Sequence, residues 1–488
     1  MSQSSLRSEF MEAVQDSPRP AIGSEPLGST IPPSQRPALI GLVAGAAVVV
    51  LDFFIVLACL PSIEATLGAT RAQLQLVMAA YAIANGSFLI LGGRLGDVLG
   101  RKRVFRLSLG AFALASAACG LATSAATLIL FRVLQGVAGA MLQPQVLGLL
   151  AVNFKSAARP RVFGLYGAAM GMAGIVAQIV GGSMVELLPV QIGWRACFLL
   201  SLPLCALAAH FAASAIEGER SKSREIDFIG ALLLAVTLGC ACAFLTIGRE
   251  HGWPIPSWIV FASGALGALL FGGWMAIGRA FGAERIIPAG MLGANGFGFA
   301  LLAILVLYCG VASLYFVLAL ELRNAAGFSP IQAGLAFAWL GLCFAVASSS
   351  KRLKAAIGPR WVVVGLSVLL CGHLVMALAA LQLAGVPRVL AYVLGCGLQG
   401  TGIGLLMAPL IAIAVSRVSS ELVSIGGGIV AATQQVGNSL GICVIGLAYF
   451  GSSETGNRFT GAGGAVAYLV VMLGFLALLM RSGSVRRR

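Results

Sequence analysis

Hydrophobic residues along this chain gather in fourteen long blocks separated by short charged or glycine-rich breaks, at about 38–60, 74–92, 104–123, 127–152, 162–185, 195–215, 226–247, 257–278, 297–320, 331–349, 361–383, 388–412, 422–449 and 462–481. A helix needs about 20 apolar residues to cross the ~30 Å hydrocarbon core of a bilayer, and these blocks have that length. Gly and Pro inside them are compatible with helix, because membrane helices tolerate both. The pattern predicts an all-α polytopic membrane protein. Its most informative break is Gly92-Gly93-Arg94-Leu95-Gly96-Asp97-Val98-Leu99-Gly100-Arg101-Lys102-Arg103, between the second and third blocks. A short, charged, glycine-rich hinge between two membrane-length helices is an element that must pivot.

Composition agrees with a bilayer as solvent. The chain is 59% hydrophobic and 10% charged, against about 25% charged in soluble domains. Residues 1–37 differ, being rich in Ser and Pro with mixed charge, and read as a disordered cytoplasmic tail rather than a secretory signal. The formal net charge of +15 does not point to nucleic acid, because the basic residues sit in alternate breaks. With the N-terminus inside, 25 of the 32 Lys and Arg fall in inside segments, 6 in outside segments, and Arg132 lies within a span. That asymmetry places both termini in the cytoplasm and calls for an even number of spans. The 11 Cys occur singly and the 3 His are far apart. Free buried thiols are expected, with no metal site and no cofactor. No phosphate loop and no Ser/His/Asp grouping occurs, so neither an enzyme nor an ATP-driven pump is indicated.

A faint internal repeat organises the chain. Lys351-Arg352-Leu353-Lys354-Ala355-Ala356-Ile357-Gly358-Pro359-Arg360 aligns with Gly93–Lys102, the first copy following span two and the second following span ten. Eight spans separate the copies, so two six-helix halves with two inserted helices account for the count. The expected organisation is a tail at 1–37, an N-terminal half at 38–216, an inserted pair at 217–285 and a C-terminal half at 286–488.

Two opposite charges fall at similar depth. Asp52 lies about 21 Å along span one at 1.5 Å per residue, leaving about 9 Å to the outer face. Arg132, descending in span four from near Thr127, lies about 7–8 Å below the same face. A lone charge in the core costs roughly 2.5–3.5 kcal/mol on insertion scales, so the two are expected to pair. Asp52 then either carries a coupling proton, exchanged as Arg132 or water approaches and withdraws, or forms a static pair that holds two helices together. Intramembrane ionisable groups are usually functional, which favours the first reading. Asp52 is also the one acid placed deep in a predicted span. In span five, Gly164, Gly167, Gly171, Gly174, Gly181 and Gly182 suit close helix packing, with a hinge as the alternative. Tyr81, Asn85, Gln135, Gln143, Gln178, Tyr308, Tyr315, Trp339, Gln434 and Asn438 lie at membrane depth and are candidates for a mostly neutral, amphipathic central cavity. His373 stands alone in span eleven and is expected to be a packed residue.

These residues also carry a family resemblance. The Gly93–Arg103 run resembles the loop 2–3 signature of the major facilitator superfamily. Leu51-Asp52-Phe53-Phe54-Ile55-Val56 followed by Leu60-Pro61, and Arg132-Val133-Leu134-Gln135-Gly136, resemble the first- and fourth-helix motifs of its fourteen-span drug:proton antiporter branch. Gly193-Trp194-Arg195, Asp227-Phe228-Ile229-Gly230 and Thr433-Gln434-Gln435-Val436-Gly437 sit where that branch has them. The fifth-helix motif departs from it, reading Ala177-Gln178-Ile179-Val180-Gly181-Gly182 without the usual Gly-Pro. Leu57 replaces an Asn, and Ala355 stands where a second-half Asp would match Asp97.

The resemblance implies a major facilitator fold with 14 transmembrane helices arranged 6+2+6. It also implies a gating segment of Gly93, Arg94, Gly96, Asp97, Gly100, Arg101 and Lys102, in which Asp97 latches the cytoplasmic side. The plain alternative for Arg101–Arg103 is a topology anchor, and both roles are compatible. The expected function is proton-driven export of small amphipathic or lipophilic compounds by alternating access, with substrate near the midplane. Export of an endogenous metabolite or lipid is an alternative, as is a transport-inactive receptor or scaffold on the same fold. The expected partners are a small-molecule substrate, protons and membrane lipids, and a monomer is expected. The excess of Arg over Lys and the high Ala and Gly content point to a GC-rich bacterium and its cytoplasmic membrane.

Overall fold

The computed structural model describes residues 31–154, 158–217, 226–281, 285, 287, 291–292, 296–324, 327–350, 353, 356–382, 385–418, 423–453 and 474. Regular structure among them is helical throughout. In chain order the helices are α1 Arg36–Leu67, α2 Arg71–Leu99, α3 Arg101–Gly120, α4 Ala125–Asn153, α5 Arg159–Leu187, α6 Val190–Leu199 and α7 Ser201–Phe211. They continue with α8 Phe228–Ala243, α9 Ile255–Phe281, α10 Phe297–Asn324, α11 Pro330–Ser349, α12 Trp361–Gln382, α13 Gly385–Ser416 and α14 Val423–Ser453.

Twelve stretches among the described residues are long and apolar enough to cross a membrane. Each coincides with a block expected from the hydropathy pattern. The third block also forms a helix, α3, but Arg101, Lys102, Arg103 and Arg106 lower its mean hydropathy and keep it out of that set. The fourteenth block, 462–481, lies outside the described residues, as do residues 1–30 and Lys351, Arg352, Lys354 and Ala355 of the repeat. The described chain thus establishes an all-helical bundle with twelve candidate spans and does not establish fourteen.

Local chemistry explains where the helices start and break. Thr70 with Gln73, Ser124 with Thr127 and Ser329 with Gln332 form reciprocal capping boxes that open α2, α4 and α11. Each satisfies backbone N–H groups that the first helical turn leaves without partners. The sixth block is two helices, broken at Leu200, because Pro203 has no N–H to return to the carbonyl four residues back. The expected glycine-rich hinge is also different. Helix α2 runs straight through Gly92–Leu99, and only Gly100 leaves helical geometry, at φ 99° and ψ 126°, before α3 starts at Arg101. The hinge is therefore a one-residue joint, in a backbone region that side chains with a Cβ rarely adopt.

Helices α1–α7 pack mainly with one another, as do α10–α14. Two helix pairs join these groups, α2 with α14 and α5 with α11, and α10 also touches α1. One apolar core runs from Leu51–Ile63 of α1 into Leu301–Leu322 of α10, so both groups share it. Helices α8 and α9 pair with each other, and α8 lies along α2. The π-helical turn Phe244–Gly248 that ends α8 touches both α2 and α14.

The joining pairs are held by small residues. A Cβ on Gly182 would strike the Pro330 carbonyl, one on Gly334 the Gln178 carbonyl, and one on Gly446 the Gln75 amide. A Cβ on Gly86 would lie 2.9 Å from the Gln435 side chain. Backbones approach this closely only where side chains are absent. Gly181 and Gly182 in α5 thus follow the packing expectation, but Gly164, Gly167 and Gly171 face open space. The α5–α11 pair is tight at the end carrying Glu186 and Pro330 and separates toward the end carrying Arg159. We call the latter, which also holds Gly100 and Arg101–Arg103, the basic end. Gly164, Gly167 and Gly171 make no contact with α11 there.

Candidate functional site

The best-defined polar site is buried where α1, α2, α3 and α4 meet. Asp52 and Arg132 are both fully buried and form an ion pair, Arg132 Nη1 to Asp52 Oδ2 at 2.6 Å. Residues three apart on a helix share a face, so Gln135 lies beside Arg132 on α4. Gln135 Oε1 accepts from Arg132 Nη1 at 2.7 Å, while its Nε2 donates to Asp52 Oδ1 at 2.7 Å and to Ser116 Oγ at 2.5 Å. Arg132 Nε donates to the Val77 carbonyl at 3.1 Å, and its guanidinium stacks 4.2 Å from the Tyr81 ring centroid. Nη2 has no hydrogen-bond acceptor among the described residues. Four helices thus meet in one network, in which the Asp52 oxygens take charge-assisted and amide bonds from α4.

Gln135 and Tyr81 were candidates for the central cavity. The structure instead builds both into the wall of the ion pair, with Gln135 0% and Tyr81 1% exposed. The reason is register: the residue three positions beyond a buried Arg faces the same helix seam. Other cavity candidates line the contact between the two helix groups. Asn85 Nδ2 donates to the Gly136 carbonyl at 3.4 Å, Gln435 Nε2 to Asn85 Oδ1 at 3.1 Å and Asn438 Nδ2 to Gln435 Oε1 at 2.8 Å. This chain of amides crosses from α2 to α14. Tyr308 is buried on α10 beside Gly437, and Gln178 Nε2 donates to the Phe54 carbonyl at 2.7 Å. Tyr315 on α10 packs against Phe54 of α1, with ring centroids 5.4 Å apart. Gln143 and Gln434 are half-buried. Trp339 is not drawn into this group; it is 43% exposed and lies against Gly397 of α13.

The segment Gly93–Lys102, expected to gate, forms a second polar site at the basic end. Asp97 and Arg101 pair across the Gly100 joint at 2.6 Å. A Cβ on Gly96 would strike the Gln145 side chain and one on Gly148 the Arg101 guanidinium, so α2 and the start of α3 both pack closely on α4 here. The Lys102 amide donates to both oxygens of Glu217 at 3.0 and 3.1 Å, and its Nζ to the carbonyls of Ala213 and Ala215 at 2.8 and 2.7 Å. Gly93 lies 3.6 Å from Pro144 by the same Cβ measure. Arg94 reaches away, donating to the Arg285 carbonyl at 2.7 Å. Arg285 in turn covers the Trp274 ring at 4.0 Å, and the Trp274 indole donates to Asp227, the N-cap of α8, at 2.8 Å. The segment therefore ties α2 to the α8–α9 pair.

Two carboxylates escaped the sequence reading. Glu321 is buried at 4% exposure and accepts from the Tyr392 hydroxyl at 3.3 Å. Glu321 lay beyond the predicted edge at 320; α10 continues to Asn324 and carries it, buried, in its last turn. Glu186 ends α5 and accepts from Ser329 Oγ at 2.7 Å and the Ile331 amide at 2.8 Å, so a residue of one helix group caps α11 of the other. Nothing in local sequence pairs positions so far apart. His373 is buried, with Nδ1 2.8 Å from the Leu369 carbonyl. No group of His, Cys, Asp or Glu able to hold a metal ion occurs among the described residues.

A multi-span helical bundle whose two halves meet along glycine-lined, amide-bridged helix pairs, with charges buried beside the seam, is the architecture of a membrane transporter rather than an enzyme. Residues 42–318 match the Major Facilitator Superfamily model, and the chain belongs to that family. It is 30% identical over 88% of its length to the probable actinorhodin transporter of Streptomyces coelicolor, covering 76% of that protein. It is 33% identical over 83% of its length to the puromycin resistance protein pur8 of Streptomyces alboniger, covering 80% of that protein. Among solved structures it resembles a bacterial homolog of the human lysosomal transporter Spinster, with a TM-score of 0.63 at 16% identity, over 93% of this chain and 97% of that one.

Proposed function

We propose that this protein exports small amphipathic or lipophilic, drug-like compounds across a bacterial cytoplasmic membrane in exchange for protons. The observation that carries the reading is the fully buried Asp52–Arg132 pair with Gln135 bridging it. Relatives named for antibiotic transport and resistance support the class of cargo.

In this reading the basic end faces the cytoplasm, following the distribution of Lys and Arg, and the cleft between the halves is open inward. The halves are α1–α7 and the helices from α10 onward, with α8 and α9 inserted between them. A proton arriving at Asp52 neutralises the carboxylate and weakens its hold on Arg132. The guanidinium keeps the Val77 carbonyl, Gln135 Oε1 and the Tyr81 face, so it stays in place while α1 is released from α4. Deprotonation restores the pair. The Asp97–Arg101 bridge at the Gly100 joint is the inner latch, and Glu186 on the α11 N-terminus is the outer one. Substrate occupies the space near Asn85, Gln178, Tyr308, Tyr315, Gln434 and Asn438 and competes with neither charge directly. The working unit is a monomer surrounded by lipid.

The test uses inside-out vesicles energised to an acidic interior and read by a pH-sensitive dye. A panel of lipophilic cations, neutral antibiotics and lysolipids is added one compound at a time. Substrate-evoked proton release with wild type, and none with Asp52→Asn, supports the proposal. Silence from folded protein across the panel, or undiminished uphill export by Asp52→Asn, overturns it.

A further inference from the structure

A row of aromatic rings runs from the buried ion pair across to the other half of the molecule. The Tyr81 ring, under the Arg132 guanidinium, lies 6.0 Å from Phe53, and Phe53 meets Phe54 edge to face at 5.4 Å and 89°. Phe54 meets Tyr315 edge to face at 5.4 Å and 68°, and Tyr315 stacks on Phe337 at 5.7 Å and 12°. The step from Phe54 to Tyr315 is the one that crosses from α1 to α10. Both rings there are half-buried, whereas Tyr81 and Phe337 at the ends of the row are 1% and 4% exposed.

The surroundings of Phe54 are a glycine and an amide of α5. Gly174 of α5 faces the ring, and a Cβ there would lie in ordinary contact with it at 3.4 Å. Gln178, 2% exposed, donates to the Phe54 carbonyl, and its Oε1 has no hydrogen-bond partner among the described residues. A buried amide oxygen without a partner is costly unless something else donates to it.

We propose that Phe54 and Tyr315 are the specificity-determining pair of the transporter and that they select compounds carrying a flat aromatic ring system. The proposal rests on the export reading above. A planar ligand ring takes the place each of the two rings now gives the other. It gains edge-to-face or offset stacking from both halves at once, beyond what burial alone supplies. A donor on the ligand answers Gln178 Oε1. Tyr81 couples this contact to the proton site, because Phe53 packs on the same ring that Arg132 covers. A ligand that shifts Phe54 and Phe53 presses on the support of the ion pair.

The test compares two monocations, ethidium, which is planar and aromatic, and tetrabutylammonium, which is neither. Each is measured for substrate-evoked proton release, and ethidium binding to purified protein is measured by fluorescence anisotropy. Wild type should prefer ethidium. In Phe54→Leu and Tyr315→Leu the ratio of KM for ethidium to KM for tetrabutylammonium should rise about three- to tenfold, the range expected for one lost aromatic contact. Phe54→Trp and Tyr315→Phe should keep the wild-type ratio, which separates ring chemistry from misfolding. Ethidium affinity should fall in the Leu variants by a similar factor. A ratio that does not move in the Leu variants, or a wild type indifferent between the two cations, overturns the inference while leaving export standing. Wild-type protein that binds ethidium through Phe54 and Tyr315 but releases no protons supports the ring assignment and counts against proton-coupled export of this compound. Folded protein that neither binds nor transports ethidium overturns the inference and leaves export to the wider panel.

Discussion

Asp52→Asn is the perturbation whose size the structure lets us work out. The wild-type carboxylate takes one bond from Arg132 at 2.6 Å and one from Gln135 at 2.7 Å, with none of the three side chains in contact with solvent. Removing one partner of a buried pair costs about 3–5 kcal/mol, because the other charge is left uncompensated. Arg132 keeps the Val77 carbonyl, Gln135 Oε1 and the Tyr81 face, which puts the loss at the low end, about 3 kcal/mol, or on the order of a hundredfold in the unfolding equilibrium. Replacing both charges removes the uncompensated one, so Asp52→Asn/Arg132→Met should regain most of that stability. The assay is an SDS unfolding titration of the purified protein in detergent for wild type, both single variants and the double variant, run beside the vesicle proton assay. The expected pattern is two destabilised single variants, a largely recovered double variant and no proton exchange in any of the three. A double variant no more stable than Asp52→Asn refutes the energetic reasoning. Proton exchange that survives in the recovered double variant refutes the coupling role and leaves a structural pair.

The contacts proposed as latches give further expectations. Asp97→Asn breaks a partly exposed bridge with Arg101, so folding should be nearly unchanged while turnover falls, as read by expression level against initial export rate. Glu186→Ala removes the cap that α5 places on α11; spin labels near the ends of those helices should then report a larger population with that end apart, and unchanged distances would deny Glu186 a latch role. Gly182→Val puts a side chain where the Pro330 carbonyl lies, so closure of that end should fail and export should stop with the protein still inserted. Normal export by Gly182→Val would show that the α5–α11 contact is not needed in the cycle.

Much of this protein is legible without coordinates because a bilayer leaves few choices. A backbone in hydrocarbon must satisfy its own hydrogen bonds, so apolar length dictates helix, and twelve expected blocks coincide with twelve candidate spans. The cost of burying charge likewise made Asp52 and Arg132 expected partners before their contact was seen. What the linear pattern could not supply were relations between distant segments. That Gln135 serves the ion pair and not the cavity depends on which seam its helix face meets. That the glycine-rich break is a single joint at Gly100 goes with α2 packing on Gln145 of α4 on one side of it and Arg101 of α3 on Gly148 of α4 on the other. Glu186 capping α11 and Phe54 touching Tyr315 join residues more than a hundred positions apart. Hydropathy is a sum over neighbours in the chain, and it places each segment in the membrane; only packing decides which side chain each segment presents to which other, and the candidate functional contacts beyond the Asp52–Arg132 pair lie in that second category.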